Sequence, residues 1–340
     1  MELRTGDIEM SALGRRRQSG SKLKTYSHLE GERRLPKEYE LVTSRLLYYP
    51  ERGFEVSTPL EAWYEQHQRG SLLKGCDWER FSDPRETTYA KYTALALNGE
   101  TYLDGLLETI QTTGYDRQLA PEWRGVLGRV LGPLRYPLHG FQMIAAYVGQ
   151  MAPSGRITVA SLFQAADEMR RIQRIAYRLT LLEQVDPALG SESKNIWMRD
   201  PLWQPLREAV ERCLVAYDWG ESLIALNLCI KPLVDELFMR YLPREAEEED
   251  DHLLGQLFCS LDEDCRWHRA WTVALLRRAV EDNADNRAVI QRWVTHWGAV
   301  ARRAVAPFDV VFQHTPAPSS ALSNCTDALL AEIGGEAPAA

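Results

Sequence analysis

Asp167-Glu168-Met169-Arg170-Arg171 and, 95 residues further on, Asp262-Glu263-Asp264-Cys265-Arg266 are near-copies of one pentapeptide, each set in a stretch of helical periodicity. In each, arginine follows a carboxylate by three positions, so the two side chains share one helix face. Were that arginine a histidine, each pair would offer an oxygen and an imidazole nitrogen to a metal held between facing helices. Arginine offers donors and no lone pair, and its guanidinium stays protonated. The two segments therefore read as parts of a helical protein built like a metal enzyme, with its metal positions degenerate.

The expectation drawn from this is that Glu168 and Glu263, or their neighbours, meet Arg171 and Arg266 near the centre of a helical bundle. The guanidinium charge would then replace that of a metal. A plainer reading stands beside it, because Glu and Arg three apart recur in charged helices as surface pairs. Their mid-helix position, shared Asp-Glu start and apolar flanks favour the buried reading. A second alignment of the later segment pairs Cys265 with His268, although such residues more commonly serve as a small core thiol and a hydrogen-bonded imidazole. The exact Glu-x-x-His match, Glu249-x-x-His252, lies in the acidic run Glu247-Glu248-Glu249-Asp250-Asp251 and reads as a solvated helix start.

Outward from these segments the chain is a series of long helices. Thr58-Pro59-Leu60-Glu61 forms a capping box with proline at the first helical position, and Gly70 closes the short helix it starts. Asp83-Pro84-Arg85-Glu86 repeats the device and opens a helix expected to run to Gly114, roughly 45 Å at 1.5 Å per residue. Pro121 to Met151 stays helical in pattern, with Pro133 and Pro137 expected to kink or divide it. The next helix spans about Arg156 to Gln184, with Ile157, Leu162, Ala165, Met169, Ile172, Ala176 and Leu179 on one stripe. Asp186 to Asp200 reads as a loop, and Asp200-Pro201 restarts a helix reaching about Lys231. The acidic run from Glu245 starts the helix that carries the second pentapeptide and ends near Glu281. After the turn at Asp282-Asn283-Ala284-Asp285-Asn286, an amphipathic helix holds Val289, Ile290, Trp293, Trp297 and Val300. No stretch has a strand period, so the class is all-α. The expected organisation is a basic extended arm over residues 1–57, a helical domain over 58–310 and a mobile tail over 311–340.

Composition narrows the function. The chain has 340 residues and 45% apolar content, enough for a substantial core. Its longest uncharged run, between Arg135 and Arg156, contains Pro137, His139, Gln142, Gln150 and Pro153, which suits a buried helix better than a membrane span. The first residues lack an apolar signal core, and six cysteines without a C-x-x-C pair suit a reducing cytoplasm. A net charge of −8 argues against nucleic acid as a partner. The first 37 residues run the other way, with nine Lys/Arg against five Asp/Glu, as befits an arm that docks on a partner. There is no G-x-S-x-G elbow, P-loop or dinucleotide-binding glycine motif. The aromatic residues Trp63, Tyr64, Trp219, Trp293 and Trp297 suit contact with another large protein.

A set of ordered motifs then identifies a resemblance. Thr25-Tyr26-Ser27-His28-Leu29, Tyr39-Glu40-Leu41-Val42, Pro133-Leu134-Arg135-Tyr136 and Ala146-Tyr147-Val148-Gly149-Gln150-Met151-Ala152-Pro153 are followed by Asp218-Trp219-Gly220-Glu221. Leu226-Asn227-Leu228-Cys229-Ile230-Lys231-Pro232 and Asp285-Asn286-Arg287-Ala288-Val289-Ile290 complete the series. Over roughly Lys24 to Phe308 the chain resembles the hydroxylase β subunit of bacterial multicomponent soluble di-iron monooxygenases, the toluene and alkene monooxygenase group. The resemblance implies a ferritin-like, ribonucleotide-reductase-like bundle that lacks the iron ligands. Asp-Glu-x-Arg-His of the catalytic α subunit stands here as Asp167-Glu168-Met169-Arg170-Arg171. It implies an (αβγ)2 assembly with the di-iron centre on α and no cofactor on this chain. Electrons from NADH would arrive through an FAD and iron–sulfur reductase and a Rieske ferredoxin, with a small effector protein. One atom of O2 would enter an aromatic or alkene hydrocarbon, chosen by the pocket of α. Two further readings of the residues stay open, a self-sufficient ferritin-like metalloenzyme and a helical adaptor without an enzyme partner.

Overall fold

The computed structural model describes residues 36–45, 59–312, 314 and 318–334. Most of the expected arm at 1–57 lies outside these residues. Within the part described, residues 36–45, Glu38–Thr43 is a short helix. The hydroxyl of its buried Tyr39 accepts a hydrogen bond from the Asp83 amide at 3.0 Å, and Ser44 just beyond it accepts from the Arg156 guanidinium at 2.8 Å.

The main helices are α1 (Tyr89–Thr113), α2 (Pro121–Met151), α3 (Gly155–Glu183), α4 (Gln204–Cys213), α5 (residues 219–248), α6 (His252–Asp282), α7 (Asn286–Val305) and α8 (Pro318–Glu332). No strand occurs among the described residues. α1 ends as its sequence requires, with Gly114 in the left-handed region at φ 65°. It starts later than Asp83-Pro84 suggests, because the Asp83 carboxylate accepts from the amides of Arg85 and Thr87 at 2.9 Å and makes a turn instead. Thr88 is the actual cap and accepts from the Lys91 amide.

α2 is one uninterrupted helix of 31 residues despite Pro133 and Pro137. Pro133 cannot donate to the carbonyl of Arg129, four residues back, but that carbonyl accepts from Trp203 Nε1 at 3.2 Å. Where a loop was expected before Asp200, two short helices, Ala188–Ser191 and Ser193–Arg199, pack on α2. The helix expected to continue from Asp200 to Lys231 is broken, and Asp218 caps a new start by accepting from the Gly220 and Glu221 amides.

α5 is the central helix. From Trp219 to Met239 all of its residues are buried except Glu221 and Glu236, which are half-buried. A helix buried on every face lies inside the core, and the polar residues it carries there need buried partners. Two turns within it, Ala225–Ile230 and Leu237–Tyr241, are π-helical. The acidic run does not start α6 as expected. Leu242–Glu248 closes α5, Asp250 takes φ 58°, and Asp251 caps α6 by accepting from the Leu254 amide. α2 and α3, joined by three residues, lie against each other along their lengths; α6 packs on α1, α3 and α5, and α7 covers α4 and the first π turn. Part of the expected mobile tail is α8, whose Leu329 and Leu330, with Ile333 just beyond its end, are buried against the bundle.

Candidate charged centre of the bundle

The aliphatic stripe read from the sequence is only part of the buried face of α3: Ile157, Ala165 and Leu179 are buried, whereas Leu162 and Met169 are 48% and 39% exposed. The face turned inward runs through Gln164, Glu168, Arg171, Ile175 and Arg178. Polar side chains can line a core only when they satisfy one another, and these do so in three layers.

The middle layer joins α3, α5 and α6. Arg171 donates to Glu168 Oε2 at 2.8 Å and to Asp235 Oδ1 at 3.0 Å. Lys231 Nζ sits on the other side, 2.6 Å from Asp235 Oδ2, 3.1 Å from Glu168 Oε1 and 3.6 Å from Cys265 Sγ. Two carboxylates and two cations thus form a buried quartet in which each carboxylate touches both cations, and the Arg269 guanidinium lies a further 3.7 Å from Asp235 Oδ2. Glu168 and Arg171 have no solvent exposure. Burial opposes charge on Asp235, but Lys231 and Arg171 beside it hold its carboxyl well below the usual range. Burial likewise works against the Lys231 ammonium, and the charges of Asp235 and Glu168 raise it above its ordinary value. Burial pushes the Cys265 thiol up to about 12, so it stays protonated.

His268, one turn along α6 from Cys265, completes the layer. Its Nε2 lies 3.1 Å from Asp167 Oδ2, and Nδ1 lies 3.8 Å from Glu168 Oε1. Burial, helped by the Lys231 charge, holds the imidazole down at about 3, so it is neutral. With Nε2 donating to the carboxylate, Nδ1 carries a bare lone pair, and it has no hydrogen-bond partner. Asp167 is buried, which raises its carboxyl; Arg170, 3.3 Å away, opposes that and also binds Asp264 at 2.7 Å.

The layers on either side are also polar. In one, Gln164 and Asn227 exchange hydrogen bonds at 2.7 and 2.9 Å, and Asn227 donates to Thr272 Oγ1 at 3.0 Å. In the other, Arg178 is paired in a fork with Asp116 at 2.6 and 2.7 Å, and Trp123 Nε1 donates to Asp251.

The two pentapeptides are thus not equivalent. Glu168 and Arg171 reach the centre, whereas Glu263 is exposed and Arg266 is 64% exposed and bound to Asp262. Both line an open cleft of about 820 Å³ between α1 and α6. It is the Cys265 and His268 alignment that turns inward, since these lie two residues away on the helix surface from Glu263 and Arg266. Lys231, named in the sequence only as a helix end and within the Leu226–Pro232 motif, and Asp235, not singled out there, complete the centre. The signal for them was present, because they are an i,i+4 charge pair inside an otherwise apolar run of α5. Among the aromatic residues read as partner contacts, Trp219, Trp293 and Trp297 are 1%, 5% and 3% exposed and belong to this chain's own core. Trp219 packs edge-on against Trp78, and Trp297 Nε1 donates to Glu221 at 3.0 Å. Trp63 and Tyr64 are half-buried, with Trp63 donating to the Tyr147 hydroxyl.

Long antiparallel helices around a polar, charge-paired middle place the chain in the ferritin-like class. Comparison with known proteins gives the family: the profile of the methane/phenol/alkene hydroxylases matches residues 62–283, and the chain belongs to that family. It is 36% identical to the hydroxylase component β subunit of the toluene-4-monooxygenase system of Ectopseudomonas mendocina, over 86% of this chain and 91% of that protein. It is 28% identical to the hydroxylase component small subunit of propane 2-monooxygenase from Gordonia sp. (strain TY-5), over 65% and 62%. Among solved structures, it overlays a chain of toluene 4-monooxygenase with toluene bound in the resting active site at a TM-score of 0.79 and 35% identity. That match covers 82% of this chain and 94% of the other. A phenol hydroxylase chain from Pseudomonas sp. OX1 shares the fold at a TM-score of 0.84 and 20% identity, with both chains fully covered.

The residues at the centre do not fit a carboxylate-bridged di-iron group. Arg171 and Lys231 contact Glu168 from both sides with fixed positive charge and no lone pair. Among the described residues no group of three or more His, Cys, Asp or Glu side chains is set to hold a metal ion.

Proposed function

We propose that this chain is the non-catalytic structural β subunit of the oxygenase component of a multicomponent monooxygenase. The activity of the complex is the insertion of one atom of O2 into an aromatic or alkene hydrocarbon. The observation that supports the reading is the buried quartet of Glu168, Asp235, Arg171 and Lys231, which joins α3, α5 and α6 by ion pairs in the middle of the bundle. Family membership supplies the rest of the argument. The di-iron centre belongs to a larger α subunit, with γ completing an (αβγ)2 assembly. NADH is the electron source, through a reductase with FAD and an iron–sulfur cluster and a Rieske ferredoxin, and an effector protein completes the system.

The contribution of this chain is mechanical. A charge-paired middle sets the spacing and register of α3, α5 and α6 and leaves the outward faces of α3 and α6 to the partner. No helix among the described residues is long and apolar enough to cross a membrane, and the reading places the complex in the cytoplasm. Half-buried Trp63 and Tyr64 are the contact candidates that keep accessible surface for α. Tagged full-length chain, isolated from cells that also produce the neighbouring hydroxylase subunits, should bring down a larger chain carrying paired Glu-x-x-His segments in equal amount. Isolation of this chain without any such partner would favour the adaptor reading.

A further inference from the structure

We infer that the outward faces of α1 and α3 together form the seat of the larger hydroxylase subunit, an inference that rests on the subunit reading above and adds where the contact is made. α3 is charged the wrong way round for a surface helix, whose charged face ordinarily meets water. Between Ile157 and Thr180 its charged residues are Asp167, Glu168, Arg170, Arg171, Arg174 and Arg178. Asp167, Glu168, Arg171 and Arg178 are fully buried. Arg170 and Arg174 turn sideways to α1, where both pair with Glu100. The side chains left outermost, Leu162, Met169, Gln173, Tyr177 and Thr180, recur at helical spacing and include no charge.

α1 lies alongside with the same inversion. Tyr92 stacks on Phe163 with ring centres 4.5 Å apart, which holds the two helices side by side. From Tyr89 to Tyr102 no residue of α1 is buried within this chain. Lys91 and Glu100 are the charged residues of that stretch; Lys91 donates to the Arg85 carbonyl, and Glu100 is taken up by Arg170 and Arg174. Tyr89 and Leu97, at helical spacing from Glu100 on the side toward α3, are left 74% and 67% exposed. At 1.5 Å per residue and about 10 Å between packed helices, the joint face measures on the order of 500 Å². That exceeds the scattered apolar surface usual on a monomer and is the larger part of the roughly 800 Å² that one partner gives to a stable interface. Transient redox and effector encounters rely on charge for steering, and this face offers none. An uncharged seat of this size suits a permanent partner, which in the proposed oxygenase is the larger subunit, meeting it with an apolar helical face.

The test uses full-length chain produced with the neighbouring hydroxylase subunits and carrying Met169→Glu, Gln173→Glu or Leu97→Lys in turn. Met198→Glu, at an exposed apolar position on the short helix Ser193–Arg199, is the control. Made alone, each outward variant should melt within about 2 °C of the native chain, because its side chain lies in water. Its recovery of the larger subunit should fall about tenfold or more, the effect of a charge stranded at a dry interface, while the control recovers the partner in full. Should Met169→Glu fail to fold, Gln173→Glu carries the test, since it adds a charge without changing shape. A photo-crosslinking side chain in place of Gln173 should join this chain to the larger subunit in the assembled complex. Full recovery by the folded outward variants, or a cross-link to a second copy of this chain or to the effector, overturns the assignment of this face. A native chain that captures no larger subunit at all overturns the subunit reading and this seat with it.

Discussion

Replacing Arg171 with leucine removes one cation from the closed quartet and keeps most of the volume. Two charge-assisted hydrogen bonds are lost, to Glu168 at 2.8 Å and to Asp235 at 3.0 Å, in a place with no solvent to compensate. Lys231 then serves both carboxylates, with Arg269 3.7 Å from Asp235, so Glu168 loses one of its two cations. Breaking a buried pair from one side costs about 3–5 kcal/mol, chiefly the desolvation of the charge left behind. With a urea slope of about 3 kcal/mol per molar, the unfolding midpoint of the full chain should fall by about 1 M or more. Adding Glu168→Gln to the same chain leaves Asp235 and Lys231 as a neutral pair. The double variant should therefore lose less than the sum of the two single losses, by about 2 kcal/mol. Equilibrium unfolding of the four proteins gives both numbers. An Arg171→Leu variant within about 1 kcal/mol of native, or strict additivity in the cycle, would refute a charge-paired core.

Arg266→Leu on the exposed side of α6 should change stability by no more than about 0.5 kcal/mol, which the same unfolding measurement checks against Arg171→Leu. Stability should decline on the acid side of pH 6.5 through His268. Its pKa in the folded chain, about 3, lies below the ordinary 6.5, so the unfolded chain takes up the proton first as pH falls. The contribution is complete above pH 6.5 and is lost progressively toward pH 3, and His268→Gln should flatten that part of the stability–pH curve. Gly140→Ala should cost about 1–3 kcal/mol, because a Cβ there would run into Val210 where α2 meets α4; thermal unfolding would show it, and an unchanged melting temperature would mean the two helices are less close. Trp63→Ala should reduce recovery of the α partner and lower total activity in proportion. Lower turnover in a complex still fully assembled and iron-loaded would point to a gating role for this chain.

Helix existence was legible where local chemistry decides it. Gly114 and the Asp282–Asn286 turn end helices where the sequence places the ends, because a left-handed residue or a run of turn-formers acts within a few residues. Asp83-Pro84 carries the same letters as a cap yet makes a turn, since Trp267 Nε1 also donates to Asp83 at 2.8 Å. That partner is 184 residues away and invisible to a local reading. The stripe on α3 covers only part of the inward face for a related reason. Hydrophobicity marks the whole inward face only when the core is apolar, and here Glu168, Arg171 and Arg178 are buried beside Ile157, Ala165 and Leu179. The Leu226–Pro232 motif includes Lys231, but nothing in the motif assigns that lysine a role. A lone cation and carboxylate four apart in a run of buried aliphatic residues was the available sign of a partner charge elsewhere. The chain's own Trp219, Trp293 and Trp297 show the converse limit, because large aromatic residues fill cores and interfaces alike and only packing distinguishes them.

In the proposed oxygenase the metal chemistry lies outside this chain, and iron analysis tests that placement. The assembled complex should be purified, its subunits separated under native conditions and the metal content of each measured. Iron should travel with the larger Glu-x-x-His chain, and this chain, present in equal amount, should carry none. Stoichiometric, tightly bound iron on this chain would contradict it.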